Sequence, residues 1–239
     1  MTKPHDTIHW RLRRQLLFLF EVDADALAKV VPPQLEAVEV RPGIALMGIE
    51  CLHYRTGHFG ADSPEFYELV FAAAVQPNLG IAMPVPRYCM HGVSIFSNSR
   101  PFIEDECKLL FSSSEYVPGL RFEISEDGAS CDVFEGDQPI VRCKNTHPAP
   151  TFDHKVLWGQ FYVDVGGLEQ GIWRWEGELC EHMRKGDAGE FHEHRFFKGL
   201  DLSRIRGCYR QMTAKAEASS MLSRWLPGVV PDLHDEESR

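Results

Sequence analysis

No run in this chain approaches the roughly 18 consecutive apolar residues that a membrane-spanning helix requires, so a helical membrane protein is excluded. The opening MTKPHDTIHW has no apolar core of the kind that marks a secretory leader. Basic residues are scarce: 25 Lys and Arg stand against 35 Asp and Glu, a net charge of −10. That balance argues against a nucleic acid as partner, because binding its phosphates takes clustered cations. The seven cysteines contain no C-x-x-C spacing, which argues against a zinc knuckle and a disulfide framework and fits the reduced thiols of a cytoplasm. Internal repeats and low-complexity segments are also lacking. Expected is a cytoplasmic protein that binds neither membrane nor nucleic acid.

What is present is a chain of 239 residues with a 44% apolar share, enough for a core. All-β domains of this length often fold as one unit, so residues 1–239 are read as a single domain. Its ordered core is expected to span 10–231, with DLHDEESR at 232–239 expected as a frayed tail. The most informative stretch is RLRRQLLFLFEVDADALAKVVPP, Arg11 to Pro33. Its short apolar run Leu16–Phe20 reads as a buried strand. Asp23 is a good N-cap for a helix over Ala24–Val31. Pro32-Pro33 stops that helix, since proline lacks the donor and restricts the residue before it.

Beyond this opening, strands dominate, with short turns between them. Leu35–Val40 and Ile44–His53 flank Arg41-Pro42-Gly43 as a hairpin, and Glu65–Val75 and Tyr88–Phe96 follow. Asn98-Ser99-Arg100 caps a helix from Pro101 to Phe111, whose early acids Glu104, Asp105 and Glu106 suit the positive end of a helix dipole. Leu120–Ser125, Ala129–Phe134 and Pro139–Lys144 make a three-strand meander. Trp158–Val163, Ile172–Lys185 and Gly189–Phe197 are further strands. Leu200–Trp225 fits either a striped helix or a strand. So many short strands imply a β-rich α+β fold, with an antiparallel sheet curled into a closed barrel or cone and a few short helices. Leu16–Glu21, Ile44–His53 and Glu65–Val75 should share one antiparallel sheet.

The order of an arginine-headed strand, D-x-x-x-L-x-x-V-V-P (Asp23, Leu27, Val30, Val31, Pro32) and an L-E strand (Leu35, Glu36) resembles the acetoacetate decarboxylase-like family. The likeness runs from Arg11 to about Thr146. It implies an enclosed small-molecule pocket and places the family's active-site arginine on Arg13. It also assigns the family's catalytic glutamate to Glu68 in Phe66-Tyr67-Glu68-Leu69. Read on its own, Glu68 either faces solvent or faces inward and needs a partner, because an unpaired buried charge is costly. With the resemblance it faces inward and meets Arg13. The family's proline-lysine-lysine segment, whose first lysine forms a Schiff base with a keto acid, is missing here. Two alignments of the flanking motifs put Glu115 at that position, and a third puts Lys108 there. A carboxylate cannot form an imine, so the family's chemistry is not expected to carry over.

The site expected from this reading has Arg13, Glu68 and Glu115 as catalytic groups, with Tyr116 and Lys108 in contact with substrate. Glu115 should stand at the pocket wall near Glu68, and Lys108 on the outward side of its helix. Arg13 would hold a carboxylate or enolate oxygen, while Glu68 and Glu115 act as acid and base with their pKa values pushed apart. The substrate would be a small oxo or carboxylated compound, with no cofactor. Alternatives are a non-catalytic small-molecule-binding or accessory protein, and a Schiff-base lyase using Lys108. A homo-oligomer fits any of these. His192 and His194 alternate along FHEHR, and His182 lies one strand earlier. Three imidazoles on one face could bind a metal, but no recognised motif is completed, so no metal site is expected. Cys107 beside Lys108 reads as a buried structural thiol.

Overall fold

The computed structural model describes residues 7–56, 64–77, 88–106, 113–126, 130–144, 152–164, 167–182, 189–197, 206–215 and 217–221. The first strand, β1, runs Thr7–Asp23, far longer than its apolar run. At its end Asp23 Oδ1 accepts a hydrogen bond from Ala26 N at 3.0 Å, the expected cap. The helix it starts, α1, covers only Ala24–Ala28, and turns then carry the chain to the prolines. The strand expected over 35–40 splits into β2 (Leu35–Ala37) and β3 (Glu39–Arg41). These pair with different neighbours: β3 with β4 (Ile44–Thr56), and β2 with β5 (Phe66–Pro77). Strand β6 (Tyr88–Ser97) follows, then a helical turn at Phe102–Glu106. Ser99 Oγ caps that turn by accepting from Phe102 N at 3.3 Å. The remainder of the helix expected to reach Phe111, with Cys107 and Lys108, lies outside the described residues.

The second half comprises β7 (Ser114–Tyr116), β8 (Leu120–Ile124), β9 (Ser130–Glu135) and β10 (Gln138–Lys144). Then come β11 (Phe152–Asp164), β12 (Gly167–His182) and β13 (Glu190–Phe191). Strands β14 (Arg206–Lys215) and β15 (Glu217–Met221) complete the described chain. The ambiguous segment after Leu200 is therefore extended where it is described. The strand expected over Gly189–Phe197 is corrected to the two residues of β13 and a separate 3-10 turn at Arg195–Phe197.

One sheet has 11 strands, in the order β14-β1-β15-β12-β11-β6-β5-β4-β3, with β2 on β5, β7 on β6, and extra pairings β14–β12 and β1–β4. As the turn spacing predicts, β1, β4 and β5 are antiparallel neighbours. Two pairings are parallel, β6 with β7 and β6 with β11. The expected barrel or cone made from one closed antiparallel sheet is thus corrected. A second, four-stranded sheet, β13-β10-β9-β8, stands apart. The reason is local: the meander over 120–144 has short turns, pairs with itself, and buries its own apolar face on the larger sheet. Phe122, Cys131, Val133, Ile140 and Val141 pack there against Leu16, Phe18, Phe20, Met47, Ile49 and Phe71.

Alternation then fixes what the two faces of β1, β4 and β5 hold. One face, with Phe18, Ile49 and Phe71, forms the core between the sheets. The opposite face is also buried, through Leu17, Leu52, Tyr54, Phe66 and Val70. Strands covered on both faces read as nearly continuous apolar runs. A polar side chain on that second face must therefore find a partner inside the protein.

Candidate active site

The second face carries four polar side chains close together. Register places Gln15 opposite Leu52 and Leu52 opposite Glu68, while Glu50 lies between Leu17 and Val70. Tyr54 sits between Leu12 and Phe66. Glu50 and Tyr54 therefore straddle Leu52 on β4, each a diagonal neighbour of Glu68, with Gln15 diagonal to Glu50. Diagonal pairs are within reach of long and aromatic side chains. The contacts bear this out. Tyr54 OH donates to Glu68 Oε2 at 2.6 Å, and Gln15 Nε2 donates to Glu50 Oε1. Gln15 is fully buried, and its Oε1 has no hydrogen-bond partner among the described residues. Phe66 stacks on Tyr54 with centroids 4.5 Å apart, and Phe102 of the helical turn packs on Phe66 at 5.3 Å.

Both carboxyls hold protons unusually tightly. Burial pushes Glu68 up to about 8, against a hydrogen bond from Tyr54 that favours the anion, and the charge of Glu50 pushes it further up. Burial likewise raises Glu50 to about 7, opposed by the Gln15 amide. No Lys, Arg or His among the described residues offsets the burial of either carboxyl. Desolvation favours the neutral acid, and a second carboxylate nearby does the same. Both carboxyls are thus raised toward neutral pH, the range acid–base catalysis needs.

Of the residues singled out from sequence, Glu68 faces inward as expected, but it does not meet Arg13. Arg14 pairs with His53 and Leu12 with Tyr54, so Arg13 is the extra, unpaired residue of a bulge. The bulge turns its guanidinium outward, where Nε donates to Glu65 Oε1 at 2.7 Å, and its side chain is about half exposed. His53 Nε2 reaches the other oxygen of Glu65 at 3.2 Å. The expected Arg13–Glu68 contact is thus corrected. Exposed ion pairs contribute less than about 1 kcal/mol, so Arg13→Ala should shift the urea midpoint only slightly. It should also leave the titration of Glu68 unchanged.

The expected placement of Glu115 near Glu68 is likewise corrected. Its strand partner is Phe96, which faces the core between the sheets, so Glu115 shares that face rather than the face of Glu68. It is exposed and accepts from Arg195 Nη2 at 2.6 Å, and Arg195 also pairs with Glu135. Tyr116 lies opposite Ser97, which lies opposite Glu68. It is thus in the same register row as the site, two strands away, with the Arg100 guanidinium 4.4 Å above its ring. Lys108 lies outside the described residues, so neither its role nor its expected outward orientation is tested. Of the histidines, His194 pairs with Glu135 at 3.0 Å, His192 stands 3.9 Å from Glu190, and the side chain of His182 is outside the described residues. Among the described residues no three His, Cys, Asp or Glu side chains converge as metal ligands.

Sequence reasoning missed Gln15 and Glu50. Alternation with Leu16, Phe18 and Phe20 would have turned Gln15 to the face of Glu68, and alternation with Ile49 and Cys51 does the same for Glu50. Charge alone favours Arg13 over Gln15 as a partner for a buried glutamate, and charge alone misleads.

No protein-family model matches the sequence, and no curated protein matches it. Solved structures do match in fold. One from structural studies of acetoacetate decarboxylase has a TM-score of 0.56 at 15% identity, covering 92% of this chain and 88% of its own. Acetoacetate decarboxylase from Legionella pneumophila has a TM-score of 0.51 at 14% identity, covering 95% and 91%. The enduracididine biosynthesis enzyme MppR complexed with pyruvate has a TM-score of 0.51 at 10% identity, covering 94% and 91%. At these identities the likeness establishes a shared strand-rich α+β fold and no more.

Proposed function

We propose that this chain is a small-molecule enzyme on an acetoacetate decarboxylase-like fold, and that it moves protons with the Glu50–Glu68 pair instead of forming a lysine imine. The observation that carries this reading is Glu68. It is a buried carboxyl raised to about 8, held by Tyr54 and set diagonally across from a second raised carboxyl. In the ionised form, Glu50 or Glu68 takes a proton from carbon next to a carbonyl. The protonated partner, or Tyr54 OH, donates to the oxygen that becomes an enolate. The pair then returns the proton in the reverse sense. Arg13 and Glu115 have no part in these steps. The likeness to acetoacetate decarboxylase and to MppR, the latter complexed with pyruvate, supports a small oxo compound as substrate. It also supports reading the whole chain as one domain.

Deuterium uptake from D2O into a panel of small ketones and oxo acids, followed by proton NMR, tests the proposal directly. The wild type should exchange the α-proton of at least one member. Glu68→Gln should exchange it at least ~100-fold more slowly, the usual scale for losing a positioned acid or base. Glu50→Gln should shift the pH profile. Borohydride added with acetoacetate should leave the protein's mass unchanged, Lys108 included. Exchange that survives Glu68→Gln, or a borohydride-stable adduct, would defeat the proposal.

A further inference from the structure

We infer that the ligand held by Gln15, Glu50 and Glu68 carries a cationic nitrogen group, an ammonium or guanidinium, rather than a carboxylate. This rests on taking those residues as the ligand site, as above. Three observations lead to it. Two carboxyls share a buried face, and among the described residues no cation acts on either. The residue that would be expected to neutralise them, Arg13, is bulged out of the strand and tied to Glu65. In its place the inward position of β1 carries a neutral amide, Gln15, fully buried, with one polar atom bonded to Glu50 and the other, Oε1, without a partner among the described residues.

A buried acceptor without a partner costs free energy, as does each carboxylate left ionised without a counter-charge. An anionic ligand would add a third negative charge and provide no donor for Gln15 Oε1. A guanidinium supplies five N–H donors and an ammonium three. Either would bond the amide oxygen and the carboxylates together and provide a positive charge that no described residue supplies. The stacked rings of Tyr54 and Phe66 beside the pair provide apolar surface for the remainder of such a ligand. On binding, the carboxyls give up their protons to solvent, so uptake of the cation is coupled to proton release.

Calorimetric titration of the full chain at about pH 8 with methylguanidinium, its neutral isostere methylurea, n-butylammonium and pyruvate provides the test. Methylguanidinium or n-butylammonium should bind at least ~10-fold more tightly than methylurea or pyruvate, a modest gain for a charge-assisted contact. The heat should depend on the buffer's ionisation enthalpy. Glu50→Gln and Glu68→Gln, checked for native circular dichroism, should each weaken the cation at least as much. Gln15→Arg should abolish cation binding and confer pyruvate binding. If that variant does not fold, the two glutamate variants decide. Pyruvate bound as well as the cations by the wild type overturns the inference. So does cation binding unchanged in both glutamate variants, since the site would then lie elsewhere on an acidic surface. The titration involves no turnover. Cation binding without deuterium exchange would refute the proposed chemistry alone, and exchange without cation preference would refute the ligand class alone.

Discussion

Stability should fall as pH rises from about 5 to about 8.5, and Glu68→Gln should remove most of the fall above neutrality. The folded pKa values of Glu68 and Glu50, about 8 and about 7, lie above the ordinary 4.5. Between those limits the native state binds more protons than the unfolded chain, so stability decreases with pH. The contribution is fully present below the unfolded value and is lost as pH passes through the folded one. A tenfold difference in proton affinity between the folded and unfolded states is worth about 1.4 kcal/mol, so the whole range amounts to several kcal/mol, of which ~1–2 kcal/mol is lost between pH 7 and 8.5. His53 and His194 act in the opposite sense, since burial lowers both. Their influence ends near their ordinary value. Burial also raises the Cys89 thiol, and contact with Cys51 together with burial raises Cys131, so both add a smaller loss in the same sense near pH 8.5. The difference between wild type and Glu68→Gln is what isolates the carboxyl. Urea unfolding at pH 5, 7 and 8.5 reads this directly. A wild type equally stable at pH 7 and 8.5 would mean that the pair is not buried and protonated.

Phe71→Ala should cost about 3–5 kcal/mol, the usual range for removing a fully buried aromatic. That is a large part of the roughly 5–15 kcal/mol that holds a domain folded. Phe71 has no exposed surface and stands in the layer between the two sheets, its ring edge-on to Phe96 at 6.0 Å and Phe197 at 5.1 Å. Truncation leaves a hole lined by the rings of Phe96 on β6 and Phe197 in the 3-10 turn, which cannot fully collapse to fill it. Phe71→Leu, which retains most of the volume, should cost less than half as much. Val40→Ala, at an exposed position, should stay within about 0.5 kcal/mol. Urea midpoints for the three variants, at constant slope, give the comparison. A loss below about 1 kcal/mol for Phe71→Ala would place that residue outside the core.

The strand-and-turn order was legible because its signals are local. The Asp23 cap and the turns at Gly43 and Gly136 act within a few residues and each has an element boundary beside it, whereas β1 runs well past the apolar run at Leu16–Phe20 and α1 ends at Ala28, before Pro32-Pro33. The inward placement of Glu68 was legible only with the family-like order as a guide. Either face of β5 is buried, so alternation alone could not choose one.

By itself, then, the sequence determined a strand-rich chain with short helices, the antiparallel β1–β4–β5 unit and the absence of long apolar spans. Each follows from propensity, turn chemistry or composition. Tertiary structure alone decided which charges meet. One extra residue in β1 turns Arg13 out to Glu65 and leaves Gln15 facing Glu50. The parallel β6–β7 pairing sends Glu115 to Arg195. A strand's side-chain period is two, so a single-residue bulge reverses the face of everything beyond it. No local pattern in RLRRQLL marks where that residue is inserted, because it is the pairing with a strand some forty residues later that places it.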